Sequence, residues 1–399
     1  MQYDFSTIMD RHGLDAIAVD AAPCAGLLRE GFDVIPMWIA DMNFPTVPSI
    51  PRAIISRAEH PAYGYFSPRQ EYYDAIIRWQ RERNGISGLE PKHIGYANGV
   101  LGGVVSAANV LCSRGDKILV HSPTYVGFTG ALGNNGYELV HSPLVPDEEG
   151  VWRMDYDDME RKLREEKIHT AILCSPHNPC GRVWERWELE RAMELFQKYD
   201  VYVISDEIWS DLTLEGFRHI PTQSVSEDAR NCTVAMYAPS KTFNLAGLVG
   251  SYSIVYNDWL RDRMEKEASL SHYNSMNVLS MYALIGGFSG EGESWLEELR
   301  QVLTANVDFA VGFIRDHFPG VTVSRPQGTY MLFVDCTGWC RAHGKTIDDV
   351  LCACYAVGVA VQDGRKFFGP CHLRMNLALP LSRVEEAFRR MDKYVFNVE

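Results

Sequence analysis

Short apolar runs alternate with amphipathic segments along the first 285 residues of this chain. The runs at residues 117–121, 170–174, 201–204 and 232–237 are largely apolar and are each bounded by polar residues. Such runs are typical of parallel strands that are buried on both faces of a sheet. The segments between and before them predict helices over residues 50–58, 69–83, 101–111, 155–165 and 185–198. This alternation indicates an α/β fold with a mostly parallel sheet covered on both faces.

The pattern changes after about residue 285. A long helix is predicted over residues 295–318, and Pro319 and Gly320 end it. Two strands, a helix, a strand and a last helix are then predicted over residues 321–324, 330–334, 347–355, 373–377 and 382–394. This order indicates a smaller α+β domain over residues 286–399. We expect residues 1–50 to contribute to that small domain and residues 51–285 to form a large one.

Composition excludes several classes of protein. A net charge of −14 over 399 residues argues against general affinity for nucleic acid or an anionic membrane. No apolar run approaches the ~18 residues of a membrane span, and the first residues lack a signal-peptide pattern, so we expect a cytoplasmic protein. The ten cysteines do not show the spacing of a zinc site, and no metal site is predicted.

Two residues at the ends of apolar runs carry candidate chemistry. Asp206 follows the run at 201–204, and Lys241 follows the run at 232–237 among small and apolar residues. A lysine in that setting loses solvation, which makes the neutral amine needed for Schiff-base chemistry accessible near neutral pH. A carboxylate at the end of a parallel strand lies where open α/β sheets bind ligands. Together they suggest pyridoxal phosphate, with Lys241 as the Schiff-base lysine and Asp206 against the ring nitrogen. A surface lysine and a helix-capping aspartate are the alternative.

Five segments, in this order and spacing, carry a family resemblance. They are Trp38-Ile-Ala-Asp-Met-Asn-Phe-Pro45, Tyr63-Gly-Tyr65, Cys174-Ser-Pro-His-Asn-Pro-Cys-Gly-Arg182, Ile204-Ser-Asp-Glu-Ile208 and Ser240-Lys-Thr-Phe-Asn244. The chain resembles fold-type I pyridoxal-phosphate enzymes of the aminotransferase class I/II group. It is most similar to their cystathionine β-lyase branch, the cysteine-S-conjugate β-lyases that include a modulator of a maltose regulon. The resemblance implies an aspartate-aminotransferase-like fold, with a seven-stranded sheet in a large domain that binds pyridoxal 5′-phosphate.

The resemblance also implies roles for single residues around the cofactor. Residues 98–103 open a helix after a strand, and free backbone amides at such a start can hold a phosphate. An ordinary loop-to-helix turn is the alternative. By resemblance, Gly99, Val100, Leu101 and Ser240 hold the cofactor phosphate. Tyr125 stacks on the ring, although a packed core tyrosine would look the same.

Further roles concern the substrate and a second chain. Asn178 donates to the ring oxygen by resemblance, whereas Asn-Pro alone would indicate a turn. By resemblance, Arg374 binds the α-carboxylate of an amino acid through a bidentate pair and Ala40 contacts the substrate, whereas Arg374 alone could be a surface arginine on a strand. Tyr65 reaches the phosphate of a neighbouring subunit, which implies a homodimer with shared active sites.

Departures from the aspartate-aminotransferase pattern favour the lyase branch. Val249 stands where that pattern has a phosphate-binding arginine, and Trp209 where it has a tyrosine. The lyase branch lacks both of those residues as well. Asn43 replaces the aspartate usual in the lyase branch, and Cys180 replaces a common threonine, so the detailed specificity is open.

Three functions are compatible with these residues. The first is a carbon–sulfur β-lyase that converts cystathionine or related cysteine S-conjugates to thiol, pyruvate and ammonia. The second is an aminotransferase, because the same lysine and aspartate serve both reactions. The third is a regulatory protein that binds a transcription factor and retains some lyase activity. Arg374 is the one substrate-binding arginine that the sequence suggests, so we expect a small or apolar distal group on the substrate.

Overall fold

A seven-stranded sheet is the largest element of the computed structural model, which describes residues 1–271 and 274–397. Six strands run in one direction, and Gly250–Ile254 runs antiparallel to both of its neighbours. The strands lie in the order Ile94–Asn98, Gly250–Ile254, Thr233–Tyr237, Tyr202–Asp206, Thr170–Cys174, Lys117–Ser122 and Glu138–Pro143. The predicted mostly parallel sheet is confirmed.

Apolar side chains on both faces explain why the central strands are almost fully buried. Ile172 and Ile204 pack on one face in a cluster with the helix Val100–Leu111. Their neighbours Leu173 and Val203 point to the other face and pack with the helix Arg186–Lys198. Because side chains alternate along a strand, an unbroken apolar run supplies both layers.

Fifteen α-helices among the described residues cover the two sheets and link their strands. Their bounds are Ile17–Asp20, Ser49–Ala58, Gln70–Asn84, Val100–Leu111, Val126–Asn134, Tyr156–Glu165, Arg186–Lys198, Glu227–Cys232, Pro239–Thr242, Asp258–Ser271, Val278–Gly287, Gly290–His317, Thr337–His343, Ile347–Ala356 and Leu381–Met391. Within the described residues, no helix is long and apolar enough to cross a membrane.

A smaller antiparallel sheet forms from the C-terminal part of the chain. Its strands lie in the order Thr322–Val323, Met331–Asp335, His372–Asn376 and Gln362–Asp363. The N-terminal strand Ile35–Pro36 pairs in parallel with Val359–Ala360, and Asp33 accepts hydrogen bonds from Arg383 and Arg390. These contacts join the N-terminal segment to the C-terminal unit. The domain boundaries near residues 50 and 285 stay predictions.

The long helix and one central strand differ from the sequence prediction. The helix begins at Gly290 rather than near residue 295, because Ser289 caps it by accepting a hydrogen bond from the Gly292 amide. A Cβ at Gly292 would lie 1.8 Å from the Gly287 carbonyl oxygen, so glycine is required inside this helix. The strand Gly250–Ile254 was not predicted, because its glycine and serines have low strand propensity. Pairing with a strand on each side stabilises it nonetheless.

Candidate active site

The carboxyl ends of the parallel strands meet at one edge of the large sheet. Cys174 and Met236 are the direct neighbours of Asp206 in the strand register. The chain therefore brings to this edge the residues that end or follow five of the strands: Gly99, Tyr125, Asn178, Asp206, Ser240 and Lys241. Open α/β sheets bind ligands at this edge.

A cavity of about 220 Å³ opens at this edge. The structure brings together in its wall nine of the residues singled out from the sequence: Ala40, Gly99, Val100, Leu101, Tyr125, Asn178, Asp206, Ser240 and Lys241. Arg374 adjoins them, because its Nη1 donates to Asn178 Oδ1 at 3.3 Å. Tyr65 does not join them within one chain. The cavity is called the Lys241 cavity below.

Lys241 is held by a backbone carbonyl rather than by a carboxylate. Its Nζ donates to the Ala40 oxygen at 2.8 Å and lies 5.8 Å from the centre of the Trp209 ring. Burial lowers the pKa of Lys241 to about 8; the Arg374 charge acts in the same direction, and Asp41 and Asp206 oppose it. The neutral amine is therefore populated near physiological pH, as a nucleophile or a base requires.

Asp206 and Glu207 are adjacent carboxylates in opposite surroundings. Asp206 faces the Lys241 cavity and accepts one hydrogen bond, from the Ile208 amide at 3.1 Å. Burial raises the pKa of Asp206 to about 7. Burial acts in the same sense on Glu207, but contacts with His219 and Tyr237 outweigh it and lower the pKa of that carboxyl. Asp206 is therefore the carboxylate that would gain from a cation in the cavity, whereas Glu207 already has its partners.

Arg374 is a buried guanidinium, 3% exposed, without a carboxylate partner among the described residues. It donates to Asn178 and to the Trp38 carbonyl oxygen, and it lies over the Phe367 ring at 4.4 Å. Burial lowers its pKa to about 10. An uncompensated buried charge is costly, so the arrangement favours an anionic ligand at this position.

Backbone geometry at one end of the Lys241 cavity suits a phosphate. Gly99 has φ +73° and precedes the helix Val100–Leu111, whose first amides have no carbonyl partner within the helix. Val249 lines the same cavity with φ +61°, which strains a β-branched side chain. Ser240 adds a hydroxyl to the wall.

Tyr125 keeps its place through a glycine. It precedes the helix Val126–Asn134, and a Cβ at Gly127 would lie 2.4 Å from Tyr125 Cε1. Glycine therefore lets the ring lie against its own helix, beside the Lys241 cavity. Burial raises the pKa of Tyr125, so its phenol stays protonated.

Two asparagines that sequence reasoning did not single out position the segment at residues 38–42. Asn376 Nδ2 donates to the carbonyl oxygens of Ile39 and Asp41, at 2.9 and 2.7 Å. The Asn244 side chain accepts from the Met42 amide and donates to its carbonyl. Together they fix the carbonyls of Trp38 and Ala40 that accept from Arg374 and Lys241. Asn244 ends one of the quoted motifs, so the motif itself was the available signal.

Tyr65 lies outside the Lys241 cavity, in a segment that the single chain leaves uncovered. Every residue from 58 to 71 is exposed, and Tyr65 is fully exposed to solvent. Tyr63 and Phe66 are exposed at 56% and 37%. Aromatic side chains gathered on a segment without regular structure are typical of a surface that contacts another chain.

Comparison with known proteins identifies the family of the chain. The family model of aminotransferase class I and II matches residues 33–391. The chain is 31% identical over 362 residues to cystathionine beta-lyase PatB of Bacillus subtilis, covering 90% of this chain and 92% of that protein. It is 30% identical over 336 residues to protein MalY of Escherichia coli, covering 84% of each.

A solved structure extends the comparison to the whole fold. The PLP-bound C-S lyase from Staphylococcus hominis matches with a TM-score of 0.89 at 28% identity, covering 98% of both chains. The family and fold implied by the sequence motifs are thereby confirmed. The chain belongs to the aminotransferase class I and II family.

Proposed function

We propose that the chain is a pyridoxal-phosphate enzyme that cleaves the carbon–sulfur bond of cystathionine or a related cysteine S-conjugate. The observation that supports this best is the meeting at one site of three groups. They are a lysine of lowered pKa, a buried carboxylate of raised pKa and an arginine without a carboxylate partner. The names of the relatives point the same way, since PatB is a cystathionine beta-lyase and the Staphylococcus protein a C-S lyase.

The residues of the Lys241 cavity fit pyridoxal phosphate. The first amides of the helix Val100–Leu111 and the Ser240 hydroxyl would hold the phosphate. Asp206, short of partners, would pair with the ring nitrogen, and Lys241 would carry the cofactor. Asn178 accepts from Arg374 through Oδ1, which leaves its Nδ2 group to donate to the ring oxygen.

Residues of this chain can bind the substrate carboxylate and remove the α-proton in the proposed reaction. When bound, the cofactor supplies an electron sink for the electrons released at the substrate α-carbon. Arg374 holds the substrate carboxylate and so places the α-proton within reach of Lys241. Lys241, with a pKa of about 8, takes that proton. Asp206 would be ionised when the protonated ring nitrogen of the cofactor lies next to it, and its negative charge would then keep that nitrogen protonated.

The cavity wall favours elimination of a thiol over transfer of the amino group of a dicarboxylic amino acid. Its other members include Ile208, Trp209 and Val249, which are apolar or lack a positive charge. An aminotransferase for dicarboxylates needs a cation for the distal carboxylate, and the described residues of one chain place none in this wall beyond Lys241. Aminotransferase activity is the second candidate, because the same lysine serves both reactions. A regulatory role stays a prediction.

The nature of the products separates these two reactions. Protein saturated with pyridoxal phosphate is given cystathionine without any keto acid. A lyase releases pyruvate and thiol over many turnovers, whereas an aminotransferase stops after about one turnover per site. Lys241→Ala protein is the control for release by the free cofactor. Continued turnover that requires an added keto acid would overturn the lyase proposal.

The proposed site also includes a second copy of the chain. We infer a homodimer in which Tyr65 of each protomer reaches the phosphate end of the other protomer's Lys241 cavity. The exposed segment at residues 58–71 supports this, because its aromatic side chains lack cover within one chain. Each active site would then be complete only in the dimer.

A further inference from the structure

A second cavity lies apart from the Lys241 cavity. It has a volume of about 470 Å³, which is in the range of small-molecule sites, and it shares no lining residue with the first. It lies between the end of the helix Gln70–Asn84 and residues 218–224. Because His219 forms part of its wall, it is called the His219 cavity. His219 Nε2 is hydrogen-bonded to Glu207 Oε2 at 2.6 Å, and Glu207 follows Asp206 in the chain.

The His219 cavity is basic in a chain of net charge −14. Among the described residues, its lining includes Arg186, Arg218 and Arg230 and no aspartate or glutamate. All three arginines are exposed, so they can turn towards a ligand. Arg186 has a partner in Glu190 at a long 3.6 Å. Among the described residues, neither Arg218 nor Arg230 has a carboxylate within 4.0 Å.

Local contacts place two of these guanidiniums at the cavity wall. Arg230 lies over the Tyr256 ring, 5.0 Å from its centre. Arg218 Nη2 lies close to Gly85, since a Cβ there would be 3.7 Å away. Gly85 follows the last residue of the helix Gln70–Asn84. The last carbonyls of a helix attract a cation such as the Arg218 guanidinium. A guanidinium has five N–H donors, so Arg218 would keep donors for a ligand.

The wall behind the arginines is polar and incompletely hydrogen-bonded. His219 Nδ1, Gln223 Oε1 and Tyr256 Oη are buried and have no partner in the described part of the chain. The Gln223 amide cannot turn to relieve this, because its Nε2 donates to the carbonyls of Thr233 and Ile254 at 2.9 Å each. Unsatisfied buried groups are rare and call for an explanation. Of these three, the Tyr256 hydroxyl can donate to an anion, whereas the Gln223 oxygen can only accept and needs a donor such as water or a hydroxyl group of the ligand.

We propose that the His219 cavity binds a small, multiply charged anion, either a phosphate ester or a polycarboxylate. Three arginines around one cavity can divide two or more negative charges among them, and planar guanidiniums suit both carboxylate and phosphate. The site is separate from the proposed reaction and does not depend on it.

Calorimetry on protein saturated with pyridoxal phosphate tests this, because the filled phosphate cradle no longer competes for the probe. Arg374 is still open to carboxylates, so the signal is assigned to the His219 cavity only where removal of Arg218 and Arg230 weakens it. The probes are glycerol 3-phosphate, citrate and inorganic phosphate, and tighter binding of one of the first two identifies the ligand class. We expect saturable binding that weakens with added salt. Arg218→Ala/Arg230→Ala should weaken it at least tenfold.

A matched variant controls for net charge. Arg191→Ala/Arg315→Ala removes two exposed arginines that do not line the cavity, and it should bind as the wild type does. Equal weakening in both variants would mean a general charge effect and would overturn the proposal. No saturable binding of any probe, or unchanged affinity in Arg218→Ala/Arg230→Ala, would overturn it as well.

Discussion

Asp206 should lower the stability of the cofactor-free protein as pH rises. Its pKa moves from 3.8 to about 7 on folding because the carboxyl is buried. A carboxyl whose pKa is raised on folding contributes stability that is fully present below pH 3.8 and is lost as pH rises through about 7. Asp206→Asn keeps the shape and removes the ionisation, so the variant should not lose this stability.

The size of the effect follows from the two pKa values. Each pKa unit corresponds to about 1.36 kcal/mol, so the full change is roughly 4 kcal/mol. We expect the two proteins to unfold with similar free energies at pH 4. At pH 8 the variant should be more stable, by up to that amount. The measurement is urea unfolding of cofactor-free protein at intervals from pH 4 to 8.

The neighbouring carboxylate provides a comparison of opposite sign. Contacts with His219 and Tyr237 lower the pKa of Glu207, so its contribution is present at neutral pH and is lost as pH falls. Glu207→Gln should therefore be less stable than wild type at pH 7, by an amount that shrinks towards acid pH. Parallel curves for wild type and Asp206→Asn would refute the reasoning. With cofactor bound, Asp206→Asn should lose at least ~100-fold in turnover, about 2.7 kcal/mol.

Three further predictions follow from single residues. Arg374→Ala should lower kcat/KM for all amino-acid substrates alike, by an amount equivalent to roughly 2–4 kcal/mol of transition-state binding. Arg374→Lys should recover little of this loss, because an ammonium lacks the planar fork of a guanidinium. Steady-state kinetics on several thioethers would contradict this if kcat/KM fell for one substrate alone. Val249→Gly should raise the free energy of unfolding by about 1 kcal/mol, because glycine adopts φ +61° without strain. Val145→Gly, at a similar exposure of 50%, is the control and should lower the free energy of unfolding. A lower free energy of unfolding in both variants, measured by urea unfolding, would argue against strain at Val249. Tyr65→Ala and Lys241→Ala proteins, each of low activity, should regain activity when their subunits are exchanged; failure to do so in a dimer that sedimentation confirms would exclude a shared site.

The sheet and the positions of Asp206 and Lys241 could be predicted from local sequence, whereas the other candidate site residues came from the family resemblance. Buried parallel strands need unbroken apolar runs, and the runs ending at Cys174 and Tyr237 show this directly. The residues after such runs must meet at one edge, so the motif order carried information about three-dimensional position. Asp206 could accordingly be placed at the sheet edge from the sequence alone.

Residues that act through long-range contacts could not be predicted in this way. Asn376 fixes a segment more than 330 positions earlier in the chain, and no local pattern reveals that pairing. The strand Gly250–Ile254 was missed because its stability comes from its two neighbours. The position of Tyr65 relative to a second chain is not a property of one chain at all.

The central claim is that Lys241 carries pyridoxal phosphate, and borohydride reduction tests it most directly. Protein incubated with the cofactor is reduced, digested and examined by mass spectrometry. We predict the mass of reduced cofactor on one peptide, with fragment ions that place it on Lys241, and no such peptide from Lys241→Ala protein. Labelling of a different lysine, or none in protein that has bound the cofactor, would contradict the account.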